Sequence, residues 1–181
     1  MKHQSEIIIV GSGLAALSAA ARLYELGKRD VSIYSTAYGA TPLVAAINFV
    51  LENNPYNDTP KQYAEDMINA GYGINNKTLV NSMCNSTVRG YELLERWGVD
   101  FAKEEDGTIK LRHASGSTYP RSLCQTTKLI GVEIVNKLTK GLKEKGIKFN
   151  MGCECLKLLV KDNQVRGITI KNKEGQIHNV Y

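Results

Sequence analysis

The feature that most constrains the fold of this chain lies near its start. There a short apolar run ends at two glycines and is followed by an alanine-rich stretch. Residues 6–10 include four consecutive aliphatic side chains, too few for a helix and typical of a buried strand. Gly11 and Gly13 interrupt the run, and residues 14–26 are rich in Ala and Leu, which favour a helix. A second strand is expected over 30–35. Strand, glycine turn, helix and strand within about 30 residues make a βαβ unit.

The glycine turn has the spacing G-x-G-x-x-A. Gly11 allows a sharp turn after the strand, Gly13 leaves room for a pyrophosphate, and Ala16 lets the helix pack closely on the sheet. The helix N-terminus adds unpaired N–H groups and a positive dipole end. We therefore predict a dinucleotide site here, and the alternative is a tight turn without a ligand. The predicted site residues are Gly11, Ser12, Gly13, Leu14, Ala15 and Ala16.

The end of the second strand differs from that of simple NAD dehydrogenases. Those enzymes place an acidic residue there to bind a ribose hydroxyl, whereas this chain has Ser35 and Thr36. Asp30 lies at the opposite end of the strand. Ser35 can still hydrogen-bond a ribose, so the pattern favours a dinucleotide but disfavours a simple NAD dehydrogenase.

The rest of the chain is expected to contain three helices, two loops and a terminal sheet. The helices are predicted over 59–71, 76–97 and 127–145. In the first, Thr59 is a predicted cap and Gln62 is placed to complete a capping box. The loops are predicted over 36–57 and 101–124. Strands over 148–160, 165–171 and 176–181, separated by turns, predict a β-meander.

Composition and charge disfavour several classes of protein. The 23 basic and 18 acidic residues give a net charge of +5, and the basic residues are scattered, so no nucleic-acid partner is expected. No run reaches the about 20 apolar residues of a membrane span, no signal peptide is seen, and a cytoplasmic location is expected. Cys153 and Cys155 could serve a metal or redox role, but they lack a second pair or nearby His. A structural role is favoured for them, and no metal is expected.

Several segments occur in an order that resembles one known family. They are residues 7–20, 40–48, 94–101 and 112–116, followed by a long helix and the meander. The series resembles the N-terminal part of the FAD-dependent succinate dehydrogenase/fumarate reductase flavoprotein family, which includes L-aspartate oxidase. The resemblance implies an α/β fold, a Rossmann-like FAD-binding domain with an incomplete parallel sheet and a C-terminal β-meander. Residues 1–181 would form the N-terminal part of an FAD/NAD(P)-binding domain.

The resemblance also implies a cofactor site. The FAD pyrophosphate maps onto residues 12–15, and the flavin maps onto residues 41–48. The cofactor-binding residues added in this way are Ser35, Thr36, Thr41, Ala45 and Ala46. Several relatives attach FAD covalently through a His in this loop. This chain has no His between His3 and His113, so non-covalent FAD is expected.

The activity implied is that of an FAD-dependent oxidoreductase acting on a small dicarboxylate. Family members are far longer, and their cap domain and C-terminal flavin segment are absent from this sequence. We therefore expect a truncated FAD-binding fragment that is inactive by itself. A non-catalytic dinucleotide-binding module is the alternative, and the substrate and any redox partner subunit stay open.

No catalytic residue is assigned from the sequence. His113 and Arg121 lie in a loop that could face a substrate or flavin, but a solvent-facing role is favoured for both. The resemblance aligns Phe101 with an aromatic residue near the dicarboxylate site, and a core position is the alternative.

Overall fold

The structure, a computed structural model, describes residues 5–181. His3, one of the residues considered above, lies outside this range. The residues form two compact units. The first contains the described residues up to Pro42 together with Val135–Tyr181, and the second contains Leu43–Ile134.

Strands and helices alternate along the first part of the chain, and strands dominate its end. The strands are β1 (Ile7–Val10), β2 (Val31–Ser35), β3 (Ile47–Asn48), β4 (Ser122–Leu123), β5 (Lys148–Met151), β6 (Glu154–Lys161), β7 (Gln164–Lys171) and β8 (Ile177–Val180). The helices are α1 (Leu14–Glu25), α2 (Pro60–Ala70), α3 (Lys77–Asn85), α4 (Thr87–Arg96) and α5 (Ile130–Glu144).

A parallel sheet of order β1-β2-β5 forms the first unit's centre. Ile7 pairs with Val31, and Ser32 pairs with Lys148. All five residues of β2 are buried, as expected of a central strand in a parallel sheet. Helix α1 connects β1 to β2 and buries the small side chains of Ala20 and Ala21 completely. The predicted Rossmann-like architecture is confirmed.

The terminal β-meander is also confirmed, with β6, β7 and β8 paired antiparallel in that order. Its turn uses Asp162 and Asn163, both at positive φ, which suits a two-residue hairpin turn. Ile168 and Val180 are buried in one cluster with Tyr34 of β2. The meander therefore shares a core with the parallel sheet of the same unit.

The single strand predicted over 148–160 is wrong, because the chain leaves one sheet and enters another at Gly152. Gly152 has φ +78°, a conformation that a side chain disfavours. The N–H groups of Gly152 and Cys153 both donate to the carbonyl of Ser35, at 2.7 and 3.0 Å. These bonds end β5 in the parallel sheet, and β6 begins two residues later in the meander.

Helix α2 begins as its sequence predicts, with one difference. The Thr59 hydroxyl accepts the N–H of Gln62 at 3.1 Å, and Pro60 occupies the first helical position. The Gln62 side chain does not complete a capping box. Its amide donates instead to Asp66 at 3.1 Å and to Thr118 at 3.2 Å.

The single helix predicted over 76–97 is wrong, since two helices, α3 and α4, occupy this segment. They meet at Ser86, which has φ −100° and ψ 0°. The Ser86 hydroxyl donates to the carbonyl of Ser82 at 2.8 Å, and the Thr87 hydroxyl donates to that of Cys84 at 2.9 Å. Hydroxyl groups that compete for backbone carbonyls in this way disfavour a continuous helix.

The two predicted loops contain a small sheet. Strand β3 lies in the first and β4 in the second, and Ile47 pairs antiparallel with Leu123. Across residues 5–181, no helix is both long and apolar enough to cross a bilayer.

Candidate dinucleotide-binding site

The turn after β1 depends on Gly11 for its backbone conformation. Gly11 has φ +102°, which L side chains rarely adopt. Its N–H donates to the carbonyl of Tyr34 at 2.8 Å and so ties the turn to β2. The turn is therefore fixed at the carboxyl end of two parallel strands, where ligands bind in open α/β sheets.

Gly13 is required for space and not for conformation. Its φ of −75° and ψ of −178° are extended values that any residue adopts. A Cβ placed on Gly13 would lie 3.3 Å from the Thr41 hydroxyl oxygen and 3.8 Å from the Tyr38 carbonyl oxygen. A side chain here would press on the Thr41 hydroxyl, so Gly13 lets the following loop approach the turn closely.

The first turn of α1 presents N–H groups that have no acceptor within the helix. The first bond of the helix ladder runs from the Leu17 N–H to the Gly13 carbonyl at 3.0 Å. The N–H groups of Ala15 and Ala16 precede that bond. No acidic residue lies in this turn. The helix N-terminus therefore suits an anion such as a phosphate.

Two buried serines connect the glycine turn to the end of β2. Ser12 is 1% exposed, and its hydroxyl donates to Ser35 at 3.1 Å or to the Ala37 carbonyl at 3.0 Å. The Ser35 hydroxyl donates to the same carbonyl at 2.7 Å. Because this proton is already engaged, Ser35 can bind a ribose hydroxyl only as an acceptor.

The other predicted cofactor residues fall into two groups. Thr41 belongs to the first unit, and its hydroxyl accepts the Leu14 N–H at 2.9 Å. Thr36 follows Ser35 and is exposed. Ala45 and Ala46 are exposed residues of the second unit. The first unit thus brings together the glycine turn, the first turn of α1, the end of β2 and Thr41.

Arg121 is neither on the surface nor available to an anion, so both interpretations of it are wrong. It is 1% exposed. Its Nε and Nη2 donate to Asp58 at 2.7 and 2.9 Å, and its Nη1 donates to Asp66 at 2.6 Å. The ring of Tyr63 lies 4.6 Å from the guanidinium carbon. We call Asp58, Asp66 and Arg121 the buried charge cluster, and no local sequence pattern indicates it.

Two other residues considered for a substrate site occupy ordinary positions. His113 is an exposed loop residue, as the favoured interpretation predicts. Phe101 is 4% exposed, and its ring centroid lies 5.5 Å from that of Tyr91. Phe101 is therefore a core residue of the second unit.

Cys153 and Cys155 pack as partly buried side chains against the cluster of Tyr34, Ile168, Ile170 and Val180. This position agrees with the structural role favoured for the pair. Both are free thiols.

The comparison that decides the family is a match to the FAD binding domain model over residues 6–180. The chain belongs to this family. FAD is its cofactor, and the turn fits an anionic group such as its pyrophosphate, because the first turn of α1 supplies N–H donors without acceptors in the helix.

Individual relatives agree with this assignment. The chain is 29% identical over 182 residues to an uncharacterized FAD-dependent oxidoreductase of Methanocaldococcus jannaschii, covering 98% of this chain and 33% of that protein. It is 26% identical over 181 residues to the succinate dehydrogenase flavoprotein subunit of Bacillus subtilis, covering 93% and 30%. A solved E. coli quinol fumarate reductase superposes with a TM-score of 0.84 at 22% identity, covering 99% and 32%.

The resemblance found in the sequence is confirmed, since the relatives include succinate dehydrogenase, fumarate reductase and L-aspartate oxidase proteins. The chain spans about a third of the length of the curated relatives it matches.

Proposed function

We propose that this chain provides the ADP-binding part of an FAD-dependent oxidoreductase of the fumarate reductase/succinate dehydrogenase type, which acts on a small dicarboxylate. The observation that supports this most is the first turn of α1, which presents N–H groups without acceptors in the helix at the carboxyl end of β1 and β2. The sequence resemblance supports the class of substrate. In this proposal residues 1–181 are the N-terminal part of the FAD-binding domain.

The chain's own residues would bind and orient the cofactor. The N–H groups of Ala15 and Ala16 would donate to the pyrophosphate, and Ser35 would accept from a ribose hydroxyl. The remaining contacts are assigned to Gly11, Ser12, Gly13, Leu14, Thr36, Thr41, Ala45 and Ala46. When bound, FAD supplies the hydride-transfer chemistry, and the protein supplies position and electrostatics.

FAD is proposed to bind without a covalent link, because the loop over 36–57 contains no His. A cytoplasmic location is proposed because the four cysteines, Cys84, Cys124, Cys153 and Cys155, are all free thiols.

One observation favours the second candidate function, a non-catalytic dinucleotide-binding module. A dicarboxylate site needs positioned cations, and Arg121 is already bound to Asp58 and Asp66. Arg121 therefore cannot hold a substrate carboxylate without losing its own partners.

The test is a steady-state assay of fumarate reduction by a reduced dye, using FAD-loaded protein and a Gly13→Val control. Turnover by residues 1–181 that the control lacks would contradict the expectation of an inactive fragment. Bound FAD without turnover is expected of residues 1–181 under both candidates, so the same assay on the product of the whole coding region separates them: turnover there supports the dicarboxylate oxidoreductase, and its absence supports the binding module. Absence of any bound FAD contradicts both.

A further inference from the structure

The end of β5 lies beside the proposed ribose contact but carries none of the residues assigned to FAD. In the parallel sheet β5 is the neighbour of β2, and the two strands end at Met151 and Ser35. The N–H groups of Gly152 and Cys153, which follow β5, donate to the Ser35 carbonyl at 2.7 and 3.0 Å. Whatever lies over Gly152 is therefore close to the end of β2.

A side chain from the β-meander lies over Gly152. It belongs to Lys173, in the turn between β7 and β8. A Cβ built on Gly152 would lie 2.0 Å from the Cε, 2.5 Å from the Cγ and 2.8 Å from the Cδ of Lys173. The methylene groups of Lys173 thus occupy the space that a side chain at position 152 would take, and they pack directly on its backbone.

The charge at the end of this side chain also lies near the strand end. Burial raises the pKa of the Cys153 thiol, the charge of Glu174 raises it as well, and the charge of Lys173 lowers it. A charge shifts a pKa in this way when it lies close to the group. Because Lys173 is exposed, its ammonium is open to a ligand at this edge of the sheet.

The turn that carries Lys173 is held by hydrogen bonds between Asn172 and the residues that follow it. The Asn172 N–H donates to the Gln176 carbonyl at 3.0 Å, and the Gly175 N–H donates to the Asn172 carbonyl at 3.0 Å. The Asn172 side chain accepts the Gln176 N–H at 2.9 Å and donates to the Gln176 side-chain oxygen at 3.0 Å. The backbone of Lys173 is therefore fixed before a ligand arrives, which lowers the entropic cost of a contact.

The proposed ribose contact at Ser35 is incomplete without a donor. The Ser35 hydroxyl gives its proton to the Ala37 carbonyl at 2.7 Å, so Ser35 can only accept from a ribose hydroxyl. A hydroxyl oxygen also has lone pairs that accept hydrogen bonds. A Lys ammonium has three donors and no acceptor, so Lys173 can provide the donor that Ser35 lacks.

We propose that Lys173 is a further cofactor-binding residue, whose ammonium donates a hydrogen bond to the adenosine ribose of FAD. Ser35 and Lys173 then bind complementary atoms of the ribose, one accepting a hydroxyl proton and the other donating to a hydroxyl oxygen. This inference rests on the proposed function and adds a contact from the β-meander to those of the βαβ unit.

The test is isothermal titration of ADP, the part of FAD that this site would hold, into the full chain. Lys173→Met keeps methylene groups over Gly152 but removes the ammonium, so it should weaken ADP binding about fivefold, the usual effect of losing one hydrogen bond. Lys173→Arg keeps a charged donor and should bind ADP like the unmodified chain. The matched control is Lys161→Met, which removes the same charge from an exposed position at the other end of β6 and should leave the affinity unchanged.

A second ligand shows whether the ammonium acts on the ribose. The 2′,3′-dideoxy form of ADP lacks both ribose hydroxyls, so Lys173→Met should not change its affinity. Equal weakening for the two ligands, or an ADP affinity that Lys173→Met leaves unchanged, would overturn the assignment of Lys173 and leave the proposed site intact. Failure of the unmodified chain to bind ADP would contradict the proposed function and this inference with it.

Discussion

The hydroxyl oxygen of Thr41 accepts a 2.9 Å hydrogen bond from the backbone N–H of Leu14, the first residue of α1. Gly13, which precedes α1, has no side chain with which to cap the helix. Thr41 therefore supplies from the following loop the cap that the glycine turn cannot provide. The same oxygen lies 3.3 Å from where a Cβ on Gly13 would stand, so one side chain both caps the helix and packs closely against the glycine turn.

Replacing Thr41 by Val should lower the free energy of unfolding by about 1 kcal/mol, the usual effect of removing a helix cap. Val keeps the shape of Thr but leaves the Leu14 N–H without its acceptor. Urea denaturation followed by circular dichroism measures the change. Thr41→Ser keeps the hydroxyl and should unfold like the unmodified chain, whereas equal losses in both variants would argue against the cap.

Removing the guanidinium of Arg121 should destabilise the chain by about 3–5 kcal/mol, because Asp58 and Asp66 are left buried without their cation. Arg121→Met is the variant, and denaturant unfolding is the measurement. Arg112→Met, at an exposed position in the same part of the chain, is the control and should change stability little. Similar losses in the two variants would contradict the structural role of the buried charge cluster.

The stability of the chain should fall in acid partly through Asp66. Burial alone would raise the pKa of its carboxyl, but hydrogen bonds from the Thr118 hydroxyl and N–H, Arg121 and Gln62 lower it from 3.8 to about 2. Since the folded-state pKa is the lower one, this contribution is complete above about pH 5 and is lost as pH falls from about 4 to 2. It amounts to about 2 kcal/mol.

Asp66→Asn isolates this contribution. The variant should be less stable than the unmodified chain at pH 7, and the difference between the two should shrink below pH 4. Denaturant unfolding at several pH values measures it, and a difference that is the same at pH 7 and pH 3 would rule out the assigned titration.

Sequence signals predicted those elements whose conformation depends on residues close together in the chain. The glycine spacing indicated the turn after β1, and Thr59 with Pro60 indicated the start of α2. Features that depend on distant partners were missed. Thr41 lies 27 residues from Leu14, and Arg121 lies 63 residues from Asp58. No pattern along the chain pairs such residues, since only the folded backbone brings them together.

The errors within predicted elements have a different origin. The apolar spacing over 76–97 is helical throughout, but the hydroxyls of Ser86 and Thr87 bond to carbonyls of the preceding turn and separate α3 from α4. Residues 148–160 favour one continuous strand by sequence. In the structure the N–H of Gly152 donates to the carbonyl of Ser35, and β5 ends there. In each case the hydrogen bonds of one or two residues outweighed a pattern spread over many positions.

FAD bound by this protein should be released when the protein is denatured with acid. The loop over 36–57 has no His to carry a covalent link. Absorbance near the flavin band in the supernatant, after precipitation and centrifugation, measures the release. Flavin that stays with the precipitate would contradict non-covalent binding and indicate a link through another side chain.

The central claim is that the glycine turn and the first turn of α1 hold the pyrophosphate of FAD, and equilibrium dialysis of FAD against a Gly13→Ala variant tests it most directly. The backbone of Gly13 is extended, so Ala fits its conformation, and the change is the added methyl group, which would lie 3.3 Å from the Thr41 hydroxyl oxygen and narrow the turn. Ala19→Val, at an exposed position on the same helix, is the control. We expect FAD to bind the unmodified chain and the control equally and the Gly13→Ala variant at least tenfold more weakly. Unchanged affinity in a folded Gly13→Ala variant would contradict the account.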